Sequence, residues 1–475
     1  MMTKTKTPIV VDLDGTLILS DLLIESFLVL IKQNPLSIFS VFLWLMKGKA
    51  YMKQEIARRA ELAIDTLPFN EPLIQYLVQK KAEGYTIALA TASHRKYADL
   101  IASHLKLFDE VFATEDGVNL SGARKRQRLN EAYGEKGYHY AGNAEVDLEV
   151  WQDSAAAIVV GNETLALKAR RITQIEAVFS SDNRKVKTWM KALRVHQWVK
   201  NGLIFVPLLA SHQFDDSSAV FACLIAFLSF SLCASSVYLL NDLLDLKDDR
   251  LHQTKRNRPF AAGALNLVHG LLAAPGLLVV ALLLATAVSL DFAIVLICYY
   301  ILTFAYSFYL KRVVLIDVVT LASLYTVRIV AGAAAIAVPL TFWLLAFSIF
   351  VFLSLAIVKR YTELLALKEK SAKKTLGRGY QVEDVELLSS LGGSSGYISV
   401  LVLALYINSS EVKALYDQPM LMWPICLVML YWISRVWIIA HRGEMNDDPI
   451  VFALKDKVSM ACGLVIVGFM LAAAI

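Results

Sequence analysis

Residues 218–259 read SAVFACLIAFLSFSLCASSVYLLNDLLDLKDDRLHQTKRNRP, and this stretch decides the fold class of the larger part of the chain. Its first half is an uncharged apolar run of about twenty residues, long enough as an α-helix to cross the hydrocarbon layer of a bilayer. Its second half crowds four aspartates, and then lysine and arginine, directly behind that run. The stretch predicts a membrane-spanning helix that ends in an acidic and then basic segment at one membrane face.

The composition of the whole chain agrees with a membrane protein. Of 475 residues, 57% are hydrophobic and only 19% are charged, which is too apolar for a water-soluble protein of this length. The apolar excess is uneven, because the first part has the mixed charges of an ordinary globular sequence. We expect a soluble domain over 1–180, a basic linker over 181–198 and a membrane domain over 199–475.

Hydropathy predicts nine membrane-spanning helices in the C-terminal part. They cover residues 199–213, 218–240, 267–289, 291–310, 315–336, 340–358, 395–410, 419–440 and 458–475. Most lysine and arginine falls in the loops after the second, fourth, sixth and eighth spans, and positive charge marks the cytoplasmic side. We therefore expect a multi-pass protein of the inner (cell) membrane. Its soluble domain and acidic segment would be cytoplasmic, and its C-terminus would lie outside.

Several classes of protein are disfavoured. The N-terminal sequence MMTKTKTPIVVDLDGTL has too short an apolar stretch for a signal peptide, so the soluble domain is expected to stay in the cytoplasm. All five cysteines lie in apolar runs without metal-ligand spacing, which argues against a redox role. The net charge of +5 is modest, and no nucleic-acid partner is expected.

The acidic segment has the pattern of a site for a hard cation. Asn241, Asp245 and Asp249 lie at i, i+4 and i+8, which places them on one face of a helix that continues out of the span. Mg²⁺ binds one or two carboxylates together with substrate phosphates. The basic residues that follow, suited to phosphate oxygens, are Lys255, Arg256 and Arg258. A solvated loop obeying the positive-inside rule would explain these cations but not the crowded acids.

A second set of polar residues surrounds the predicted span 315–336. Tyr306, Lys311 and Asp317 precede or enter it, and Arg328 lies near its middle. An ionisable group at that depth is expensive and is expected to face a cavity with a partner. The mouth of the first predicted span adds Arg194, Gln197, Lys200 and Asn201. Singly these residues are typical of interfacial anchors, but together with the acidic segment they indicate a polar site.

The acidic segment resembles the NDxxDxxxD signature of the UbiA superfamily of intramembrane prenyltransferases, matched by Asn241, Asp242, Asp245 and Asp249. The wider pattern resembles one branch, the decaprenyl-phosphate phosphoribosyltransferases. The matching strings are RVHQWVKN at 194–201, TKRNRPFAAG at 254–263, YSFYLKRVVLIDVV at 306–319, RIVAG at 328–332, KRYTEL at 359–364 and HRGEMNDDPI at 441–450. The resemblance covers nearly all of residues 190–475.

This resemblance implies transfer of 5-phosphoribose from phosphoribosyl diphosphate to a polyprenyl phosphate in the membrane. Diphosphate would leave, held with Mg²⁺ by Asn241, Asp245 and Asp249. Asp242 or Asp317 would orient the acceptor or the ribose. The substrate-binding residues would be Lys200, Asn201, Lys255, Arg256, Arg258, Lys311 and Arg328.

One departure from the superfamily bears on the substrate. Prenyltransferases with aromatic acceptors usually carry a second paired-acid motif, whereas here Asp317 is followed at i+4 by Leu321. A single second acid fits the phosphoribosyl branch better. The alternative enzyme transfers a prenyl group from a prenyl diphosphate to a small aromatic acceptor. The alternative class is a non-catalytic lipid-binding or transport protein.

The soluble domain alternates short apolar runs with helical patterns, which predicts a parallel sheet covered on both faces. The predicted strands lie in 8–17 and at 86–90, 110–113, 138–141 and 157–160. Asp12 and Asp14 follow the first strand, where an open sheet meets its ligands. Two acids two residues apart are suited to divide roles, with Asp12 as nucleophile on phosphorus and Asp14 as general acid and base.

The DxDGT motif after a strand resembles the haloacid dehalogenase (HAD) superfamily, over residues 8–165. The resemblance implies a Rossmann-like phosphatase with a helical cap at about 20–75. Thr91 would bind the phosphoryl group and Lys125 would neutralise it, although Arg124 and Arg126 are neighbours. The Mg²⁺ ligands would be Asp12, Asp14, Asn143 and Asp147. Because Asn143 is neutral, the alternative is a degenerate scaffold domain without activity.

Two further expectations concern the membrane surface and the product. The cap has two apolar blocks, LLIESFLVLI and LSIFSVFLWLM, neither long enough to span a bilayer. They form either an ordinary cap or a cap whose exposed apolar face touches the membrane. The basic linker, with its aromatics, is typical of a helix on an anionic membrane surface. The fusion suggests that the soluble domain removes the 5-phosphate from the lipid product.

Overall fold

The computed structural model describes residues 6–115, 119–180, 185–369, 379–410, 412, 416–445 and 448–474. Packing divides the chain into two units. The first unit comprises residues 1–193 and 238–274, and the second comprises 194–237 and 275–475. Of the predicted linker, residues 181–184 lie outside the described part of the chain.

Six short strands form a parallel sheet in the first unit. Their bounds are β1 Ile9–Val11, β2 Ile87–His94, β3 Glu110–Thr114, β4 His139–Gly142, β5 Ala156–Gly161 and β6 Gln174–Ser180. The order is β3-β2-β1-β4-β5-β6. Val11 pairs with Leu89 on one side and with Ala141 on the other, so β1 is central. The loops after β1, β2 and β4 therefore meet at one edge of the sheet.

The predicted parallel α/β domain is confirmed. Strands β1 and β5 are continuous apolar runs, as expected where helices cover both faces of a sheet. One core on each face holds the sheet, with Leu13 and Leu89 in the first and Val10 and Tyr140 in the second. Strand β6 was not predicted, because this edge strand is only half-buried and its sequence lacks a clear apolar run.

Helices cover the sheet and form the cap. Their bounds are α1 Leu22–Gln33, α2 Ser37–Met46, α3 Lys49–Arg59, α4 Glu71–Ala82, α5 Arg95–Leu105, α6 Ala123–Tyr133, α7 Leu148–Trp151, α8 Glu163–Arg170 and α9 Lys185–Ala192. Helix α1 begins where the Asp21 carboxylate accepts hydrogen bonds from the backbone N–H groups of Leu23 and Ile24. Helices α1 to α3 lie between β1 and β2 in the chain and form the cap.

Eight helices in the described part of the chain are long and apolar enough to cross a membrane. They are α11 Ser217–Leu244, α13 Leu267–Val288, α14 Leu290–Phe308, α15 Ile316–Ala335, α16 Phe342–Glu369, α17 Val385–Ile407, α18 Trp423–His441 and α20 Lys457–Ala474. Shorter helices are α10 Val206–Ala210, α12 Leu246–Leu251 and α19 Pro449–Lys455. The prediction of a helical, multi-pass membrane protein is confirmed.

Of the nine predicted spanning helices, the first, 199–213, is not among the eight long apolar helices of the described chain. Residues Val195–Phe205 form a 3₁₀-helix that only α10 extends. The segment lies antiparallel to α11, because Trp198 bonds Ser235, Asn201 bonds Ser231, and Phe205 meets Phe227 further up. It also lies against α15, where a Cβ on Gly332 would come within 2.0 Å of the Ile204 carbonyl oxygen. Tight packing, which hydropathy does not report, shapes this segment.

Helix α17 begins at Val385, ten residues before the predicted start at 395 (395 − 385). Its first turns contain glycines and serines that resemble a loop in sequence. In the structure these small residues allow close helix packing, since a Cβ on Gly392 would lie 2.2 Å from the Trp437 ring and one on Gly396 2.6 Å from Ile433. Ser354 on α16 also donates a hydrogen bond to the Gly392 carbonyl, at 2.7 Å.

Candidate active sites

The edge of the sheet collects the predicted phosphatase residues. Asp12 and Asp14 follow β1, Thr91 lies in β2, and Asn143 and Asp147 follow β4. The turn between them is tight: Gly15 has φ +75°, and a Cβ there would lie 2.2 Å from the Asn143 side chain. The structure therefore brings all five predicted side chains to one place.

A hydrogen-bonded chain links Asp12 to Asp147. The buried Lys125 ammonium lies 2.7 Å from the Asp12 carboxylate and donates to the Tyr140 hydroxyl at 2.9 Å. The Tyr140 hydroxyl donates in turn to Asp147, at 3.0 Å. Of the three neighbouring cations, Lys125 is thus the one in the site, since Arg124 is exposed and Arg126 pairs with Asp153.

Asp14 lies in a dry part of the same site. Ser93 donates to its carboxylate at 2.7 Å, the backbone N–H of Leu22 at 2.8 Å, and Thr91 at 3.4 Å. Burial raises the pKa of Asp14 to about 7, and burial likewise raises the pKa of Asp147 to about 6. Two carboxylates this short of positive charge suit a bound cation, which would lower both pKa values.

Ser93 was not predicted. It lies two residues after Thr91 on β2, and residues at this spacing share one face of a strand. Its backbone N–H also donates to the Thr91 hydroxyl, at 2.9 Å. A small hydroxyl two residues beyond the first is the sequence signal that would have indicated it.

The acidic segment follows the end of a membrane helix. A break at Asp245 (φ −104°, ψ 18°) separates α11 from α12. Backbone hydrogen bonds still join the N–H of Asp245 to the Asn241 carbonyl, at 3.0 Å, and the N–H of Asp249 to the Asp245 carbonyl, at 2.8 Å. Arg258 bridges Asp242, at 3.1 Å, and Asp249, at 2.7 Å. The joint binding of a cation by Asn241, Asp245 and Asp249 stays a prediction.

Asp245 pairs elsewhere. The Lys32 ammonium of α1 lies 2.8 Å from Asp245 and 2.9 Å from Asp248. The acids thus form two pairs, one buried with Arg258 and one half-exposed with Lys32. Of the predicted loop cations, Lys255 and Arg256 are exposed and only Arg258 contacts the acids.

The two acids that contact Arg258 are buried. Asp242 and Asp249 are each only 2% exposed and both pair with this arginine. Burial raises the pKa of Asp249 although Arg258 opposes the shift. Among the described residues, no three Asp, Glu, His or Cys side chains lie close enough to hold a metal ion by themselves. Two neighbouring carboxylates suit a cation whose other ligands come from a substrate, as Mg²⁺ binds phosphates.

Within the first unit, the cap joins the loop after Asp14 to the acidic segment. The guanidinium of Arg250 bonds both Glu25 carboxylate oxygens, at 2.6 and 2.9 Å, and Ser20 donates to the same carboxylate at 2.5 Å. Gly263 lies against Leu19, where an added Cβ would come within 2.5 Å. The phosphatase-like site and the acidic segment are therefore neighbours.

The second unit holds a buried cation cluster. The ammonium groups of Lys200 and Lys359 each lie 2.8 Å from one oxygen of Asp448. Burial alone would raise the pKa of Asp448, but the two lysines hold it well below its ordinary value. Tyr325 lies between Lys200 and Arg328, its ring 5.8 Å from the first and 5.5 Å from the second.

Arg328 has partners, as expected, and those in the described chain are neutral. Its Nε donates to Asn201 at 2.9 Å, and its guanidinium lies over the rings of Phe230 and Tyr299. In the described part of the chain, no carboxylate comes within ion-pair distance of it. Among the described residues, the carboxylate that pairs with Lys200 and Lys359 is Asp448, and Arg328 lies on the other side of Tyr325. This excess of positive charge suits an anion.

Comparison with known proteins identifies the membrane part. Residues 203–461, more than half of the chain, match the model of the UbiA prenyltransferase family. The chain belongs to the UbiA prenyltransferase family. This UbiA protein is 37% identical to the uncharacterized protein y4nM of Sinorhizobium fredii, over 97% of this chain and 90% of that one.

Two weaker similarities concern one part of this UbiA protein each. It is 30% identical to the decaprenyl-phosphate phosphoribosyltransferase of Mycolicibacterium smegmatis, over 57% of this chain and 86% of that one. A solved structure, phosphoserine phosphatase in its apo form, aligns with a TM-score of 0.28 and 16% identity, over 39% of this chain and 99% of that one. The Rossmann-like parallel sheet is consistent with a fused HAD-like domain.

Two predicted residues of the UbiA part lie outside the cation cluster. Asp317 is fully buried; Arg360 Nε lies 2.5 Å from its carboxylate, and Tyr306 donates to it at 2.7 Å. Arg360 also pairs with Glu363, so these two carboxylates share one arginine. Lys311 lies in the turn Leu310–Arg312. The roles predicted for Asp317 and Lys311 stay predictions.

Sequence analysis also missed two members of that cluster. Asp448 and Lys359 lie in the strings HRGEMNDDPI and KRYTEL, which were recognised without roles being assigned. The ionisable residues of these two strings were the signal in the sequence that could have indicated a site. What the strings do not give is their meeting with Lys200, since Asp448 is 248 positions away from it in the chain.

Proposed function

We propose that the membrane part transfers 5-phosphoribose from phosphoribosyl diphosphate to a polyprenyl phosphate. The observation that carries this proposal is the group of cations Lys200, Lys359 and Arg328 near Asp448, which suits a substrate phosphate. The similarity to a decaprenyl-phosphate phosphoribosyltransferase supports the same donor. A prenyl diphosphate donor with a small aromatic acceptor is the second candidate, favoured by the family alone.

The reaction would break the bond between ribose C1 and the diphosphate and form one from C1 to the lipid phosphate oxygen. Asp249, Asp242 and Asp245, with Asn241, would hold Mg²⁺, which supplies positive charge to the departing diphosphate. Arg258 fixes the two buried carboxylates and offers a donor to the same phosphate. Lys200, Lys359 and Arg328 would bind a substrate phosphate, since they exceed the charge of Asp448.

Release of diphosphate distinguishes the two donors. Purified protein in nanodiscs with Mg²⁺ and polyprenyl phosphate should release diphosphate when phosphoribosyl diphosphate is added. Arg328→Gln should lower this rate at least tenfold, whereas Arg435→Gln, which removes an arginine paired with Asp456 elsewhere in the second unit, should leave chemistry intact. Release only with a prenyl diphosphate and an aromatic acceptor would establish the second candidate instead.

We further propose that the first domain removes the 5-phosphate from the lipid product. Asp12 would attack phosphorus and break its bond to the sugar oxygen, while Lys125 would neutralise the phosphoryl oxygens. Asp14, with its raised pKa, would give a proton to the leaving sugar oxygen. Water would then hydrolyse the phosphoaspartate, with Asp14 as the base, and release phosphate. The contact between cap and acidic segment supports this order of reactions. Mass spectrometry of the lipids tests it: Asp12→Asn should accumulate the phosphorylated product, and an unchanged product ratio would mean an inactive scaffold.

The orientation expected from charge requires residues 195–210 to cross the membrane. Their eleven 3₁₀ residues and five α-helical residues span about 30 Å, the thickness of a hydrocarbon layer. The first domain contacts the segment at the end of α11, so the chain must reach the far side before Ser217. A C-terminal cysteine tag labelled by an impermeant reagent from outside intact cells would support this topology, and labelling only after lysis would refute it.

A further inference from the structure

The cap contains an apolar helix that nothing in the described chain covers. Helix α2, SIFSVFLWLM, has no charged residue and no buried residue. Its outward side chains are 44–75% exposed. They are Ile38, Phe39, Phe42, Leu43, Leu45 and Met46. A contiguous apolar face of this kind on a soluble domain marks a surface for a partner or a membrane.

The helix is nevertheless firmly placed. Its opposite side, Val41 and Trp44, packs on a small core formed by α1 and α3, with Leu30, Met52 and Ile56. The guanidinium of Arg59 lies 4.7 Å from the centre of the Trp44 ring. The outward face is therefore presented in a fixed direction, and it does not belong to a loosely attached segment.

Ion pairs place α1, and hence α2, beside the end of a membrane span. Lys32, in the last turn of α1, pairs with Asp245, the residue after the end of α11, and with Asp248 one turn further on. Arg250 pairs with Glu25 earlier on α1. Helix α2 begins at Ser37, five residues after Lys32 (37 − 32), within reach of the membrane surface from which α11 emerges.

We propose that α2 lies in the plane of the membrane surface, with its outward face among the lipid acyl chains. At the end of the helix, Lys47 and Lys49 are exposed and suited to anionic headgroups. The outward face of α2 would therefore contact the bilayer that α11 crosses, at the membrane surface where α11 ends. Resting on the function proposed above, this placement would hold the residues around Asp14 at the lipid surface, where the lipid product is formed.

Photocrosslinking tests this placement in the full-length protein. Phe42 is replaced by benzoylphenylalanine, and the protein is reconstituted into vesicles of phosphatidylethanolamine and phosphatidylglycerol. After illumination, mass spectrometry of the digested cap should find phospholipid attached at position 42. Because Phe42 is 64% exposed, the substitution should leave the fold intact, which circular dichroism and gel filtration check.

A matched control uses the same label at Leu167. This residue, 49% exposed, lies on α8, whose inner side packs in the core on the sheet face away from the cap. It should give at least tenfold less lipid adduct than position 42. Adducts at position 42 to a second copy of the chain, or to another part of the same chain, would overturn the proposal. So would equal lipid adducts at both positions, or none at position 42.

A second variant tests the contact between α2 and the bilayer by protease cleavage, without a crosslinking label. Phe42→Asp with Leu43→Asp places charge on the outward face, which should expose the cap to protease in vesicles, with cleavage in 34–48 rising severalfold. Protection equal to that of the unaltered protein would contradict the proposal. Activity of either site is not used as the readout, so failure of the proposed reactions and failure of this placement remain distinguishable.

Discussion

At the residue scale, buried charged groups mark the places suited to a charged ligand. Asp242 and Asp249 both pair with Arg258, and burial raises the pKa of Asp249. Asp317 and Glu363 likewise share Arg360 inside the helices. Carboxylates that are buried and share a cation are candidates for a site, since perturbed ionisable groups cluster where charged ligands bind.

Asp14 should destabilise the metal-free protein above neutral pH. Burial raises its pKa from the ordinary 3.8 to about 7, so the folded state binds the extra proton between these values. The free energy of unfolding therefore falls as pH rises through about 7. In the presence of a chelator, Asp14→Asn should raise the free energy of unfolding at about pH 8 by up to a few kcal/mol, which is seen as a higher thermal midpoint. At about pH 4 the substitution should change the thermal midpoint little.

Asp109 provides a control of opposite sign. Lys81 and the backbone N–H of Ile87 bond its carboxylate and hold its pKa below the ordinary value, although burial opposes them. Its contribution to stability is present above the unfolded pKa, so Asp109→Asn should lower the thermal midpoint at about pH 8. If Asp14→Asn lowers the midpoint at both pH values, burial is not the dominant cause of its raised pKa.

At the element scale, the sequence predicts what depends on local pattern. Apolar runs predicted the spans, and strand-like runs before DxDGT predicted the central sheet, because burial on both faces selects such residues. The 3₁₀ segment 195–205 could not be predicted in this way. Its form depends on contacts with α11 and α15, which are distant in the chain.

Gly332 should be required for this packing. A Cβ at Gly332 would meet the backbone carbonyl of Ile204 at 2.0 Å, and backbone has little freedom to move aside. Gly332→Ala should therefore destabilise the protein by about 1–3 kcal/mol. Gly393, on α17, has nothing within 4 Å of its added Cβ. Gly393→Ala should be neutral or slightly stabilising, as alanine favours helix. Equal thermal midpoints for both variants in detergent would contradict this account.

Two kinds of site residue could be predicted from the sequence: residues adjacent in the chain, and residues in loops that follow neighbouring strands. Asp12, Asp14 and Asp147 are of the latter kind, because the strand order brings the loops after β1 and β4 together. The acidic segment was predictable in its residues but not in its pairing. A cation from the cap, Lys32, pairs with two of the acids, and Arg258 pairs with two others.

At the scale of the whole molecule, the cap is the element that relates the two candidate reactions. Helix α1 contacts both the Asp14 loop, through Leu22, and the acidic segment, through Glu25 and Arg250. Such contacts suit a lipid phosphate that passes from one site to the next without leaving the membrane surface. Loss of these contacts would then change the ratio of phosphorylated to dephosphorylated lipid more than it changes the rate of either reaction alone.

Breaking the Glu25–Arg250 pair should therefore uncouple the two steps. Glu25→Gln should leave the rate of transfer within about twofold while the phosphorylated lipid accumulates severalfold, measured by mass spectrometry of the lipid extract. Because an unpaired buried arginine is costly, the double variant with Arg250→Gln serves as a second test. Glu145→Gln, which breaks the exposed pair with Lys168, is the control. A product ratio unchanged in both Glu25 variants would contradict coupling.

The most direct test of the central claim follows the sugar itself. Purified full-length protein in nanodiscs receives Mg²⁺, polyprenyl phosphate and phosphoribosyl diphosphate labelled in the ribose, and radioactivity is counted in the organic extract. The account predicts label in the lipid fraction, dependent on polyprenyl phosphate, and at least a hundredfold less with Asp249→Asn in folded protein. Label that stays in the aqueous phase with the unaltered protein, or full incorporation by Asp249→Asn, would contradict it.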